Sequence, residues 1–183
     1  MNTTESIGTT YLTETLKRFH GLKDLADRAT AQVSEADRFA TLHEDDNSIA
    51  VIMKHLAGNM RSRWTDFLTS DGEKPDRHRD TEFELYEEDD AEALAARWEA
   101  GWRLLFDALE PLTEADLLRT VTIRGEPHTV LAAIQRQLAH YAYHVGQIVM
   151  LARHFAGDGW ESLTIPKGQS ETFNASMRYK PKF

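Results

Sequence analysis

The stretch TVLAAIQRQLAHYAYHVGQIVMLARHFAG, residues 129–157, decides how the rest of the chain is read. It predicts one helix from about Thr129 to Ala156, with Gly157 as the residue that ends it. At about 100° per residue, Leu131, Ile134, Leu138, Val145, Val149 and Ala152 share a core-facing arc. His140 and His144 lie one turn apart at the side of that arc, near Ile148 and Leu151. Residues at i and i+4 are neighbours on a helix, so both imidazoles can reach one ion at about 2.1 Å. They can equally be packed core residues. Two metal chemistries are set aside at once. A metalloprotease needs Glu directly after the first His, where Tyr141 stands, and the Glu-x-x-His pattern of di-iron bundles occurs nowhere.

Working outward, three more segments carry helical periodicity. One runs from about Thr4 to Val33, with Ile7, Tyr11, Thr15, Phe19, Leu22, Ala26 and Val33 on its apolar side. A polar connection follows, in which Phe39 and Leu42 are placed to plug one end of the core. The second helix starts at Asn47 or Ser48, both good N-caps, and stops by Ser70–Gly72. Its core stripe is Ile49, Ile52, Met53, Leu56, Met60 and Phe67, and His55, Asn59 and Arg63 line up beside that stripe. A long charged connection, residues 71–89, comes next; loops of that length are usually functional or packed over something. The third helix, near Asp90 to Leu109, buries Leu94, Trp98, Trp102 or Gly101, Leu105 and Leu109. Thr113 and Asp116 form a capping-box pair, and RTVTIRGEPHTV predicts a short extended hairpin turning at Gly125 and Pro127.

These elements predict an all-α fold. Four amphipathic helices with one long crossover make an antiparallel four-helix bundle over residues 1–157. Residues 158–183 form an ordered tail of the same domain, with Trp160, Leu163, Ile165 and Phe173 expected to pack on the bundle. Gly146, inside the last helix, is expected to mark a close helix contact.

The chain has 183 residues and a formal charge of −9, a balance that opposes a nucleic-acid partner. There is no cysteine, so any metal must be held by His, Asp or Glu, and any thiol chemistry must use an external thiol. No signal-like leader and no apolar run of about 20 residues is present, which predicts a cytoplasmic protein with no membrane partner. A third ligand for His140 and His144 has two candidates, His55 on the second helix and His20 on the first.

KHLAGN on the second helix together with QLAHYAYHVGQI on the fourth resembles the DinB/YfiT-like metalloenzyme superfamily. The resemblance spans essentially the whole chain, and GNMRSRWTDFLTSDGEKPDRHRD, TIRGEPHTV and IPKGQSETFN look like one uncharacterised bacterial branch of it. It implies a four-helix bundle and a divalent metal on three histidines; a homodimer is expected as well. Carried over residue by residue, those are His55, His140 and His144, which settles His55 over His20.

Three neutral imidazoles leave an ion its full charge and an open position for water or a thiol sulfur. Zinc or nickel suits that donor set best, with iron, copper and manganese also compatible. The resemblance therefore implies a metal-dependent thiol transferase acting on a small-molecule substrate with a low-molecular-weight bacterial thiol. A metal-dependent hydrolase, and a non-catalytic metal-binding dimer with a structural or sensing role, are the alternatives. Asn59, one turn after His55, is placed to hydrogen-bond a water or substrate at the site. Gln147 and Arg63 are further candidates to line it, the latter for a substrate carboxylate; their alternatives are a surface glutamine and an exposed salt-bridge arginine.

Overall fold

The computed structural model describes residues 6–176, and it is mostly helical. Helix α1 (Ile7–Thr30) is capped by Ser6, whose side chain accepts from the Thr9 backbone N–H. The expected start at Thr4 lies outside the described residues. Ile7 is 89% exposed, so the apolar side of α1 begins at Tyr11 and Leu12 instead. A short helix α2 (Glu35–Phe39), closed by a Ser34–Asp37 capping box, occupies what the sequence suggested was an irregular connection. Helix α3 (Ile49–Trp64) starts on the Ser48 cap and ends earlier than expected, at Trp64. Helix α4 (Ala91–Leu109) starts on Asp90 and buries Leu94, Trp98, Gly101, Trp102, Leu105 and Leu109, as its periodicity predicts.

The hairpin pairs β1 (Thr120–Ile123) with β2 (Glu126–Thr129), in the register Thr120↔Thr129 and Ile123↔Glu126. Its turn is Arg124–Gly125, both at positive φ, which matches the twist of a tight hairpin. Pro127 is therefore not a turn residue; it sits within β2 opposite Thr122. Thr129 ends the hairpin and caps helix α5 (Val130–Ala156), which terminates at Gly157 with φ 54°. Helices α3 and α4 pack together, as do α1 and α5, and α3 and α5 meet across the core.

The buried arc of α5 differs from the predicted one. Leu131, Leu138 and Val149 are only half-buried, whereas Gln137, Tyr141, Val145 and Ile148 are buried. At about 100° per residue the arc is rotated by about 60° toward the histidine side. Tyr141 becomes a core residue, fully buried. Its hydroxyl donates to Asn59 Oδ1 at 3.0 Å and receives the Trp64 indole N–H at 3.0 Å and the Gln137 amide at 3.3 Å. This network ties α5 to α3 in a fixed register. Burial raises the Tyr141 phenol above its ordinary range, so it remains a donor.

Two further expectations are corrected. A Cβ added at Gly146 would meet open space, so that glycine makes no close contact; the tight approach is at Gly101, where a Cβ would lie 3.2 Å from Ala57 Cα. In the tail, Trp160 and Leu163 pack against the core, but Ile165 and Phe173 are exposed, as is all of helix α6 (Ser170–Ser176). The end of the tail, 177–183, lies outside the described residues. No helix among the described residues is long and apolar enough to cross a membrane.

Candidate metal centre

Helix α3 presents His55 toward α5, one turn before Asn59, and α5 presents His140 and His144 back toward it. One ring nitrogen from each histidine lies within 4.8 Å of the other two. His55 Nε2 and His140 Nε2 are 3.3 Å apart. Two nitrogens bound at about 2.1 Å to one tetrahedral ion lie about 3.4 Å apart, so this pair already has that spacing. His20, the other candidate for the third position, is exposed and stacks on Phe106 with ring centroids 3.9 Å apart.

The three imidazoles are supported unequally. His55 is buried, stacks on Phe83 at 4.7 Å, and donates from Nδ1 to Glu82 Oε2 at 2.8 Å. Arg77 grips the same carboxylate with two bonds, Nε to Oε1 at 2.8 Å and Nη2 to Oε2 at 2.9 Å. Burial alone would raise the Glu82 carboxyl, but the bonds from His55 and Arg77 and the Arg77 charge outweigh it and hold it below its ordinary range. An ionised carboxylate only accepts, so His55 carries a proton on Nδ1 and turns Nε2 to the site. This is the carboxylate–histidine arrangement that orients metal ligands.

His144 is half-buried, and its Nδ1 donates to Gln147 Oε1 at 2.7 Å. Burial lowers its pKa, and the bond to Gln147 works in the opposite direction without reversing it. His140 Nδ1 is buried and has no hydrogen-bond partner among the described residues. Burial first, then the neighbouring His144, His55, Arg63 and Arg77, push the His140 imidazole down to about 3. Both α5 histidines are therefore neutral at pH 7 and have lone pairs to give. Three converging imidazoles, one with its outer nitrogen fixed by a carboxylate, fit a divalent metal.

The segment between α3 and α4 builds the other side of the site. Arg63 is buried rather than exposed: it donates to the Gly72 carbonyl and, at 2.8 Å, to Glu73. Ser62 Oγ donates to the same carbonyl at 2.9 Å and accepts from the Lys74 backbone N–H at 3.0 Å. These bonds lay residues 72–74 along α3 before a 3-10 turn, Arg79–Phe83, delivers Glu82 and Phe83 to His55. Gly58, one turn after His55 and not singled out by sequence reading, leaves the room that the Glu82 carboxylate fills.

The structure thus sorts the sequence candidates. His55, His140 and His144 come together. Asn59 is buried, with Oδ1 taken by Gln137 and Tyr141, and it borders the cavity beside His55 and His140. Gln147 orients His144. Arg63 borders the cavity too, and its Nε is buried with no hydrogen-bond partner among the described residues. Glu82 and Arg77 were missed by sequence reading; the length and charge of the 71–89 connection were the only signal. That cavity, 330 Å³, opens on His55 and His140. A larger one of 370 Å³ shares Arg77 but touches none of the three histidines.

A search of curated proteins finds no match to the chain. The family described as "Protein of unknown function (DUF1572)" matches residues 6–169, which take in α1 through the start of the tail and every residue of the site. The chain belongs to that family.

Proposed function

We propose that the chain is a divalent-metal-binding protein whose three-histidine site makes it a metal-dependent enzyme acting on a small molecule. The observation that carries this reading is the convergence of His55, His140 and His144 with Glu82 fixing the outer nitrogen of His55. The family match supports it through kinship with the DinB/YfiT-like superfamily, and we read α1, α3, α4 and α5 as that superfamily's antiparallel four-helix bundle. A divalent ion, zinc or nickel by donor chemistry, supplies Lewis acidity that activates a water or a low-molecular-weight thiol. The protein's own contribution is separate. His55 is held in one tautomer by Glu82, His144 is oriented by Gln147, and Tyr141 keeps the two helices in register.

The thiol-transferase form of the reading follows the superfamily resemblance; a chain without cysteine is compatible with it, because the nucleophile would then arrive with the cosubstrate. The hydrolase form needs the same ligands and differs only in what is activated. The homodimer belongs to the proposal as well. It has a face to use on α5, where Tyr143 is 64% and Met150 60% exposed on either side of Gly146.

The deciding measurement is elemental analysis of untagged protein from its native host beside His144→Ala. One divalent metal per chain, lost in the variant while circular dichroism shows the fold retained, is the expected result. Absence of metal from both, with no uptake on titration, would sink the reading. A panel of thiols and electrophiles, run against hydrolysis of activated esters and amides, then separates transferase from hydrolase.

A further inference from the structure

Beside the histidines, the 330 Å³ cavity has an unusual wall. Arg63, Arg77, Arg79, Arg124 and Arg136 all border it, although the whole chain carries a formal charge of −9. They come from four separate segments: α3, the connection before α4, the hairpin turn and α5. The carboxylates that answer them are Glu73 and Glu82. Glu73 takes Arg63 at 2.8 Å, Arg77 at 3.2 Å and Arg124 at 3.5 Å, and Glu82 takes Arg77. Arg79 lies 3.7 Å from Asp80, but that aspartate is fully exposed and its charge is screened by water. Arg136 has no ion pair among the described residues, and it sits one turn before His140. Five guanidiniums thus face two buried or half-buried carboxylates.

Like charges gathered around a concave surface repel one another and raise the local potential, a cost that calls for a compensating anion. At the base of the wall one polar atom is left unpaired. Arg63 is 4% exposed, yet its Nε has no hydrogen-bond partner among the described residues. Burial grades the wall: Arg63 and Arg77 lie at its base, whereas Arg79, Arg124 and Arg136 stand at an exposed rim. Guanidinium forks match carboxylate and phosphate oxygens in geometry as well as charge.

We propose that this arginine-walled cavity binds a small molecule carrying at least two negative charges, as carboxylates or a phosphate, and holds it against His55 and His140. Arg63 meets the anion at the base, and Arg79 and Arg136 close on it from the rim. The inference rests on the metal-site reading only for what the anion is held against; the binding itself is a property of the arginines. It also narrows the substrate of the proposed enzyme to an anionic one.

Calorimetric titration of the full chain tests this, as purified and after metal removal, with inorganic phosphate, succinate and uncharged erythritol as probes. At least one anion binds in both preparations, erythritol does not, and high salt weakens the binding. Arg79→Ala combined with Arg136→Ala lowers the affinity by at least about tenfold, the scale of a charge-assisted hydrogen bond. Both side chains are on the surface, so the fold survives, which circular dichroism checks. Phosphate alone binding assigns a phosphate ligand, succinate alone a dicarboxylate, and both the shared chemistry. Failure of both anions to bind, or equal affinity in the double variant and the wild type, overturns the proposal. His144→Ala keeps the two readings apart: it is expected to lose metal and keep the anion. Wild-type protein that takes the anion but no metal refutes only the metal reading, and metal without anion refutes only this one.

Discussion

His55 and His144 face each other across one site, with ring centroids 4.9 Å apart, and their surroundings differ in kind. His55 is buried against Phe83, and its outer nitrogen is bound to a carboxylate that Arg77 holds in turn. His144 is half-buried, and its outer nitrogen meets a neutral amide from its own helix. A charge-assisted bond inside the protein is roughly twice as strong as a neutral one and loses less to water. The α3 side of the site is therefore built in advance by the 71–89 connection, while the α5 side is set by one helix and its own neighbours. Such a site would offer an ion one ligand fixed from outside its own helix and two held by α5 alone.

The largest effect should come from breaking the fixed side. Glu82→Gln removes the charge that locks His55 and leaves Arg77 with a weaker partner. Metal affinity is expected to fall about 10–100-fold, the usual cost of losing an outer partner. Gln147→Ala, the matching change on the α5 side, should cost less. Competition titration with a chromogenic chelator measures both, and a Gln147→Ala loss equal to that of Glu82→Gln would remove the asymmetry.

Gly58→Ala sharpens the same comparison from the backbone. In a helix interior Ala is better than Gly by about 1 kcal/mol, so helix propensity alone predicts a higher Tm. Here the new Cβ would collide with Glu82 Oε1, and that carboxylate cannot swing aside freely because His55 and Arg77 hold it. Metal affinity should drop in the direction of Glu82→Gln, with no gain in Tm. A variant that is more stable and binds metal normally would show that Glu82 is not held where the structure has it.

The smallest effect concerns how the 71–89 connection is pinned. Asp71 accepts the backbone N–H groups of Glu73, Arg124 and Gly125, at 2.7, 2.8 and 2.8 Å. Those bonds, the one from Glu73 foremost, lower its carboxyl from the ordinary 3.8 to about 2. A carboxyl depressed in the folded state stabilises the fold above its unfolded pKa. That contribution fades as the pH falls from about 4 toward 2. Asp71→Asn should flatten this part of the Tm-versus-pH curve; an unchanged acid slope would mean the tie contributes nothing.

Much of this arrangement is legible in the sequence, because much of it is local. The caps at Ser48, Asp90 and Thr129 and the apolar stripes of α3 and α4 follow from spacing over a few residues. The His140–His144 pair needs only the pitch of a helix. What spacing does not fix is the rotation of a helix against its neighbours. The α5 arc departs from the spacing-based one because Gln137 and Tyr141 carry polar atoms, and only Asn59 and Trp64 on another helix satisfy them when buried. Asn59 and Arg63, ambiguous on the helix surface, are both buried for a similar reason.

By itself, then, the sequence determined the four long helices, the hairpin and the two histidines on one turn of α5, since each depends on periodicity and caps within a single segment. Tertiary structure decided the rest. Glu82 lies 27 residues from His55 in the chain, and His140 lies 85 from it. The arginine wall draws on segments that no periodicity relates. His140 reaches His55 through the packing of α5 on α3, and Glu82 reaches it only when the 71–89 connection folds back over α3, a path set by buried hydrogen bonds at Ser62 and Arg63 that no local pattern records.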